Sequence, residues 1–159
     1  MTLTKDAAAE FLALTRVAVT GVSGTDPGGH GSNTVYTRMR DRGYEVFPVN
    51  PNSPAAEGDK TYPDLRSIPG GVQAVVIGTR PDRAEATMQE AIDLGITHVW
   101  MHRAFGSGSV SDPATALGRS SGVTVIDGGC PLMFGPTSDG GHRFMCKLLT
   151  LTGKVPKQV

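Results

Sequence analysis

Short runs of β-branched and apolar residues recur along this chain, and each is followed by a glycine- or proline-rich turn and then by an amphipathic stretch. The runs start about 23 to 30 residues apart, which is close to the length of a strand–helix–strand unit. Several are apolar on both alternating faces, which is typical of parallel strands covered by helices on both sides. The five runs lie at residues 16–21, 44–49, 74–78, 98–101 and 123–126. The pattern therefore predicts five parallel strands.

Amphipathic stretches between and before these runs are predicted to be helices. One begins near Ser32 or Asn33, either of which is a favourable N-cap residue, and ends at Gly43. The others span about residues 5–14, 81–95 and 111–122. Residues 50–71 are rich in proline and glycine, and only 63–67 there is expected to form a helical turn. Because crossovers between parallel strands are right-handed, we expect an α/β, Rossmann-like fold with a doubly wound five-stranded parallel sheet flanked by helices.

Length and charge limit the classes of partner. The 159 residues carry 15 acidic and 15 basic side chains, so the chain lacks the broad basic field of a protein that binds nucleic acid or an anionic membrane. We expect one domain, with a core at about 16–134 and a helical tail at 142–152. Two cysteines, and an N-terminal segment unlike a signal peptide, predict a cytoplasmic protein.

The predicted C-terminal helix is apolar nearly all round. Phe144, Leu148 and Leu151 have the spacing of one helical face, and Met145 and Leu149 widen that stripe. We expect this helix to be buried, either on the body of the molecule or against a partner such as a second copy of the chain.

The segment after the first strand is the strongest candidate for a ligand site, because open parallel sheets bind ligands beyond the carboxyl ends of their strands. It reads GVSGTDPGGHGSN from Gly21 to Asn33 and leads into a helix. Glycines let backbone N–H groups wrap around an anion, and the helix N-terminus contributes the positive end of its dipole. Ser23, Ser32 and Asn33 would add side-chain donors. A merely flexible connection is the alternative interpretation, but the position in the first strand–helix turn favours a phosphate site.

This loop differs from the two commonest nucleotide-binding signatures. The dinucleotide fingerprint is G-x-G-x-x-G, whereas Gly21 and Gly24 are three residues apart and an insertion follows them. An NAD site also has an acidic residue at the end of the second strand, where this chain has Val49, Asn50 and Pro51. No Gly-Lys-Ser/Thr follows the glycines, which excludes a P-loop. The sequence therefore predicts a phosphate-binding loop of another class.

The segments at the strand ends resemble those of the small stand-alone CoA-binding proteins, which are relatives of the CoA-binding domain of the succinyl-CoA synthetase α subunit. The matching segments are VTGVS at 19–23, GYEVFPVNP at 43–51, EGDKTY at 57–62 and GCP at 129–131. The resemblance covers about residues 16–134. Its most specific part is the PVNP turn combined with the downstream G-x-K-x-Y.

The resemblance implies that CoA is contacted by residues at the carboxyl ends of the first three strands. They are Gly21, Val22 and Ser23 for the phosphates, Val49, Asn50 and Pro51 for the adenosine side, and Thr79, Arg80 and Pro81 flanking the nucleotide. The loop at 24–31 is longer and richer in glycine than is usual in the family. Relatives often have an apolar or Pro-Pro segment where this chain has residues 79–81.

Three charged or titratable residues have two interpretations each. Arg80 and Lys60 would neutralise CoA phosphates, or they are solvated surface charges. His102, after the fourth strand, would be an acid–base group, or it bonds the loop backbone; the second interpretation is the simpler one.

The remaining reactive side chains do not form a recognisable catalytic or metal site. His142 and Cys146 are spaced i and i+4 as two metal ligands would be, but Cys130 is the only obvious third ligand, so no metal is predicted. Cys130 is expected to be a small buried hydrophobe rather than a reactive thiol. No nucleophile–base–orienter set is evident, so no catalytic residue is assigned.

The sequence is best interpreted as a module that binds coenzyme A or an acyl-CoA without chemistry of its own. One alternative is an NAD(P)-dependent or nucleotide-dependent enzyme with a degenerate loop. Another is an interaction protein with a vestigial nucleotide site, whose tail meets a partner. The acyl group, the pathway and the oligomeric state are left open.

Overall fold

A five-stranded parallel sheet forms the centre of the molecule in the computed structural model, which describes residues 2–25, 31–104, 106 and 108–159. The described residues contain seven strands. They are β1 (Arg16–Thr20), β2 (Glu45–Val49), β3 (Ala55–Ala56), β4 (Asp59–Lys60), β5 (Ala74–Ile77), β6 (His98–Met101) and β7 (Thr124–Asp127). The parallel sheet has the order β2-β1-β5-β6-β7, and β3 and β4 form a separate antiparallel hairpin.

The strand order reverses once, between β1 and β5. The chain leaves β1, adds β2 on one side, and then returns to add β5, β6 and β7 on the other side. Val17 of β1 is accordingly in register with Val46 of β2 and with Ala74 of β5. This doubly wound parallel sheet confirms the predicted fold class, and its reversal point is where such folds bind ligands.

Helices cover both faces of the sheet. They are α1 (Thr4–Ala13), α2 (Gly31–Asp41), α3 (Pro81–Asp93), α4 (Asp112–Ser120) and α5 (Gly140–Leu151). Buried residues of α1, α2 and α5 belong to one core cluster, and those of α3 and α4 belong to the other. In the first cluster, Phe11 of α1 packs edge-on against Trp100 of β6 at 5.4 Å, and the Trp100 indole N–H donates to Gly128 O.

The structure departs from the sequence prediction in the segments that lack a regular pattern. Helix α2 begins at Gly31, so Ser32 and Asn33 lie inside its first turn and neither is its N-cap. The hairpin of β3 and β4 was not predicted. The predicted helical turn at 63–67 is present only as a single hydrogen-bonded turn and not as a helix, with Ile68 N–H donating to Leu65 O at 3.2 Å and Asp64 accepting from both the backbone N–H and the hydroxyl of Ser67.

Helix α5 contacts the body of the molecule through only one side of the predicted apolar stripe. Leu149 is buried, whereas Phe144, Leu148 and Leu151 are 71%, 51% and 85% exposed. Met145 and Leu149, which widen the predicted stripe, pack against the core as expected, whereas the prediction that the stripe packs on the body is wrong for Phe144, Leu148 and Leu151, which the rotation of the helix points outward. Burial of the stripe against a partner remains a prediction.

The two ends of the chain meet beside the sheet. Leu3 and Gln158 form an antiparallel bridge, and the Thr4 hydroxyl donates to Pro156 O at 2.6 Å. No helix within the described ranges is long and apolar enough to cross a membrane.

Candidate functional site

The reversal point of the sheet is built from two glycines whose backbones touch. Gly21, directly after β1, has φ +76°, and a Cβ there would lie 2.7 Å from Gly78 O, directly after β5. A Cβ on Gly78 would collide with Ser32 Oγ and would lie 2.7 Å from Thr20 O. Any larger residue would force the two strand ends apart, so glycine is required at both positions.

Ser32 and Asn33 use their side chains to fasten this region. The Ser32 hydroxyl donates to Gly78 O at 3.2 Å. The fully buried Asn33 accepts from the Ser23 backbone N–H at 2.8 Å and donates to Ser23 O at 2.8 Å and to Glu57 Oε1 at 2.6 Å. These groups are engaged within the protein, so they hold the loop in place rather than present free donors.

The start of the loop is partly buried. Val22 has no exposed surface, and the Ser23 hydroxyl lies 3.2 Å from the Thr25 hydroxyl. Residues 26–30, five of the thirteen residues in the predicted segment from Gly21 to Asn33, lie outside the described residues.

The end of β2 carries an amide where dinucleotide-binding folds carry a carboxylate. Asn50 donates from its side chain to Val22 O at 2.9 Å, and its Oδ1 accepts from the Asn52 N–H at 2.8 Å. Val49 O accepts from the Gly21 N–H at 3.0 Å. Asn50 thus joins the β2 end to the loop after β1.

A cleft of about 550 Å³ opens beyond these strand ends, on the side of the sheet that carries α3. Six of the twelve predicted cofactor-binding residues line it, namely Gly21, Val49, Asn50, Pro51, Thr79 and Arg80. The other six do not line it: Val22, Ser23, Ser32, Asn33, Lys60 and Pro81. The structure thus brings together the three strand ends named by the family resemblance, but not every residue named on them.

Sequence reasoning missed the far wall of the cleft. Arg83, Thr87 and Glu90 of α3 line it, together with Asp64 and Leu65 from the turn after β4. The three α3 residues are spaced i, i+4 and i+7, so helical periodicity starting from the cleft end of α3 would have found them. Nothing in the local pattern indicates Asp64 or Leu65, because tertiary folding brings that turn to the cleft.

Polar side chains in and near the cleft differ in whether they have a hydrogen-bonding or charged partner within the protein. Thr79 Oγ1 is buried and has no hydrogen-bond partner in the described part of the chain. Such a hydroxyl is costly to leave unpaired, so a ligand or a water would satisfy it. Arg80 is paired with Asp82 at 3.2 Å and is well exposed. Lys60, outside the cleft, lies 5.4 Å above the ring of Tyr62.

A second group of polar side chains lies at the same edge of the sheet, on the α2 side. Asp139 accepts from Arg38 at 2.9 Å and pairs with the His142 ring at 2.8 Å. Burial, and the charge of nearby His142, lower the pKa of His102 to about 4. Burial raises the pKa of Cys130 to about 12. No three His, Cys, Asp or Glu side chains in residues 2–25, 31–104, 106 and 108–159 are arranged to hold a metal ion.

Comparison with known proteins relates this chain to one family. Residues 15–136 match the model of a family described as a CoA binding domain. Over 111 residues the chain is 31% identical to the uncharacterized protein YneT of Bacillus subtilis (strain 168), a match that covers 70% of this chain and 78% of that protein. The match to the family model spans every residue that lines the cleft.

Solved structures share the fold. A hypothetical protein from Pyrococcus horikoshii OT3 has a TM-score of 0.72 at 22% identity, over 81% of this chain and 87% of that chain. The dinucleotide forming acetyl-coenzyme A synthetase 1 of Ca. Korarchaeum cryptofilum, in its apo form, has a TM-score of 0.58 at 20% identity, over 74% of this chain and 26% of that chain. At identities of 22% and 20%, the similarity to these two structures supports the fold of this chain.

Proposed function

This chain belongs to the CoA-binding domain family, and we propose from that premise that it binds coenzyme A or an acyl-CoA in the cleft at the reversal point of its sheet. The observation that carries the proposal is the chemistry of the cleft itself. It combines the strand ends that meet at Gly21 and Gly78, both of which line the cleft, with the unpaired hydroxyl of Thr79. Arg80 and Arg83 add positive charge on the α3 side.

The end of β2 favours CoA over a nicotinamide dinucleotide. A dinucleotide site holds the ribose hydroxyls with a carboxylate at this position. Here the position is occupied by Asn50, whose amide is used to hold the loop after β1. A ligand that needs no carboxylate there, such as CoA, fits this end better.

We assign two roles to the twelve predicted residues. Those that line the cleft would contact the ligand: Gly21, Val49, Asn50, Pro51, Thr79 and Arg80. Ser32 and Asn33 would act through the loop that they fasten, while Val22 and Ser23 form the start of that loop. Pro81 begins α3, and Lys60 would contribute its charge from outside the cleft.

A charge placed on the cleft wall tests where the ligand binds. Ala86 of α3 is exposed and lines the cleft, whereas Ala116 of α4 is exposed and does not. Ala86→Glu adds bulk and negative charge beside the phosphates, so its affinity for CoA should fall about tenfold or more, equal to at least ~1.4 kcal/mol. Ala116→Glu should bind as the wild type does. Equal affinities in both variants, measured by calorimetry, would place the ligand elsewhere.

We further propose a cytoplasmic location and a protein contact through α5. The thiols of Cys130 and Cys146 are both free, which suits a reducing compartment.

The exposed side chains of Phe144, Leu148 and Leu151 form a contiguous helical stripe that a second copy of the chain would cover.

A further inference from the structure

An aspartate–histidine pair stands at the carboxyl edge of the sheet, outside the cleft. Asp139 caps α5, and its Oδ1 accepts from the His142 backbone N–H at 2.8 Å while its Oδ2 lies 2.8 Å from His142 Nδ1. Arg38 of α2 donates to the same Oδ2 at 2.9 Å and fixes the carboxylate. A carboxylate at Nδ1 keeps the proton on that nitrogen and leaves the lone pair on Nε2, which is the arrangement of a general base.

A second histidine lies beside this pair. His102 follows β6, and its backbone N–H donates to Ile77 O at 3.0 Å. Its pKa of about 4 keeps the ring neutral at pH 7, with one ring N–H to donate. That ring has no hydrogen-bond partner among the residues that the structure describes.

A short series of contacts connects His102 to the cleft. The His102 ring packs against Gly31, where a Cβ would lie 3.0 Å from His102 Cε1. The next residue, Ser32, donates to Gly78 O, and Gly78 lines the cleft. Strands β5 and β6 are neighbours, so the ends of the two strands are about 5 Å apart. A ligand that starts in the cleft and crosses the sheet edge would reach His102, and His142 is close enough for its charge to act on the His102 ring.

We propose that His142, oriented by Asp139, is the general base of a thioesterase that hydrolyses an acyl-CoA whose adenosine half lies in the cleft. This inference rests on the proposed function, because it requires the cofactor to bind there. His142 would be a catalytic residue, and Asp139 and Arg38 would be positioning residues.

The reaction consumes only water. His142 Nε2 takes a proton from a water molecule as the water oxygen bonds to the thioester carbonyl carbon. The His102 N–H donates to the carbonyl oxygen as negative charge develops there. The C–S bond then breaks, and the departing sulfur takes the proton back from His142. The products are free CoA and the carboxylic acid, which ionises.

Cysteine chemistry is the competing route, and the structure disfavours it. Cys130 lies at the same edge but is 3% exposed, and its pKa is raised to about 12 by burial. A thiol in that environment holds almost no thiolate at neutral pH, so it is a poor nucleophile.

The first test measures hydrolysis of acetyl-CoA by the full chain, with release of free CoA followed by chromatography. A general base typically supplies about a hundredfold or more, so His142→Ala, or His142→Gln if the first fails to fold, should lower kcat about 100-fold with CoA affinity unchanged. His98→Ala is the matched control, because His98 also faces a carboxylate, with Nε2 3.8 Å from Glu10 Oε2, but at the start of β6. A wild-type rate in the His142 variants overturns the proposal.

The second test examines Asp139. Asp139→Asn still caps α5 through Oδ1, but the amide N–H that replaces Oδ2 would donate to His142 Nδ1, move the ring proton to Nε2 and lose the bond from Arg38. We expect kcat to fall about tenfold or more at unchanged KM, and the ¹⁵N signals of the His142 ring to report the exchanged tautomer. An unchanged kcat with the exchanged tautomer overturns the role of the pair.

The third test does not depend on the acyl group. CoA should shift the ring signals of His102 and His142, whereas 3′,5′-ADP, which lacks the pantetheine arm, should not. If CoA binds and leaves both rings unperturbed, this inference fails and the proposed function stands. The same conclusion follows if, in the first test, the wild-type protein binds acetyl-CoA without hydrolysing it. If CoA does not bind at all, both fail.

Discussion

Gly21 and Gly78 bring two strand ends into contact at the reversal point of the sheet, because neither residue has a side chain that would hold the strand ends apart. The Gly21 contact involves Gly78 backbone atoms, which cannot rotate away. Ser32 and Asn33 then hold the neighbouring loop with buried hydrogen bonds. At the scale of the residue, the site therefore depends as much on missing side chains as on polar ones.

Alanine at Gly21 should be more damaging than alanine at a glycine with the same backbone conformation and free space around it. Gly95 has φ +73° and no atom within 4 Å of the position that a Cβ would occupy, whereas Gly21 has φ +76° and Gly78 O at 2.7 Å from that position. Gly95→Ala should lower the free energy of unfolding by roughly 1–2 kcal/mol, the cost of the left-handed conformation alone. Gly21→Ala should cost more and should weaken CoA binding. Equal losses in urea unfolding would show that the strand ends can move apart.

Burial of His102 should make the protein less stable in mild acid. The pKa of His102 is lowered to about 4 in the folded state, so between about pH 6.5 and pH 4 the unfolded state binds more protons. Stability should therefore fall as pH drops through this window, with a slope of up to about 1.4 kcal/mol per pH unit from this group. His102→Gln should flatten this pH dependence relative to the wild type in urea unfolding at about pH 7, 6 and 5. An unaltered slope in His102→Gln would assign the effect to other groups.

At the scale of the element, segments with a regular hydrophobic pattern were predicted correctly, and segments without such a pattern were not. The β-branched runs predicted every strand of the parallel sheet with small differences at the ends, because buried parallel strands are apolar on both faces. The hairpin of β3 and β4 has no such pattern, since Ala55, Ala56, Asp59 and Lys60 are poor strand formers. Its pairing is set by the surrounding tertiary structure.

Helix α5 should mediate self-association through the stripe of Phe144, Leu148 and Leu151. Leu148 is 51% exposed, so Leu148→Glu should abolish the dimer without lowering the melting temperature of the monomer. Leu149→Glu is the contrasting variant, because Leu149 is buried and a charge there should unfold the protein. Sedimentation velocity would measure the mass in solution. A wild-type protein that is monomeric at all concentrations would contradict the prediction.

At the scale of the whole molecule, the sequence predicted a site at the edge of the sheet where the cleft lies, but it identified only one wall of that cleft. The segments after β1, β2 and β5 were found because glycine and proline mark strand ends. The α3 wall with Arg83 and Glu90 was missed because these residues belong to no loop motif. The pairing of Asp139 with His142 was also missed, since only the spacing of His142 and Cys146 was considered and no site was assigned to it. Only the folded chain shows which helix end faces which strand end.

Titration calorimetry of CoA into the full chain at neutral pH, with NAD in a parallel experiment, tests the central claim most directly. The cleft lies at the reversal point, and the β2 end offers Asn50 rather than a carboxylate. We predict one CoA bound per chain, with NAD at least about tenfold weaker, equal to ~1.4 kcal/mol or more. NAD binding tighter than CoA, or no CoA binding at millimolar concentration, would contradict the account.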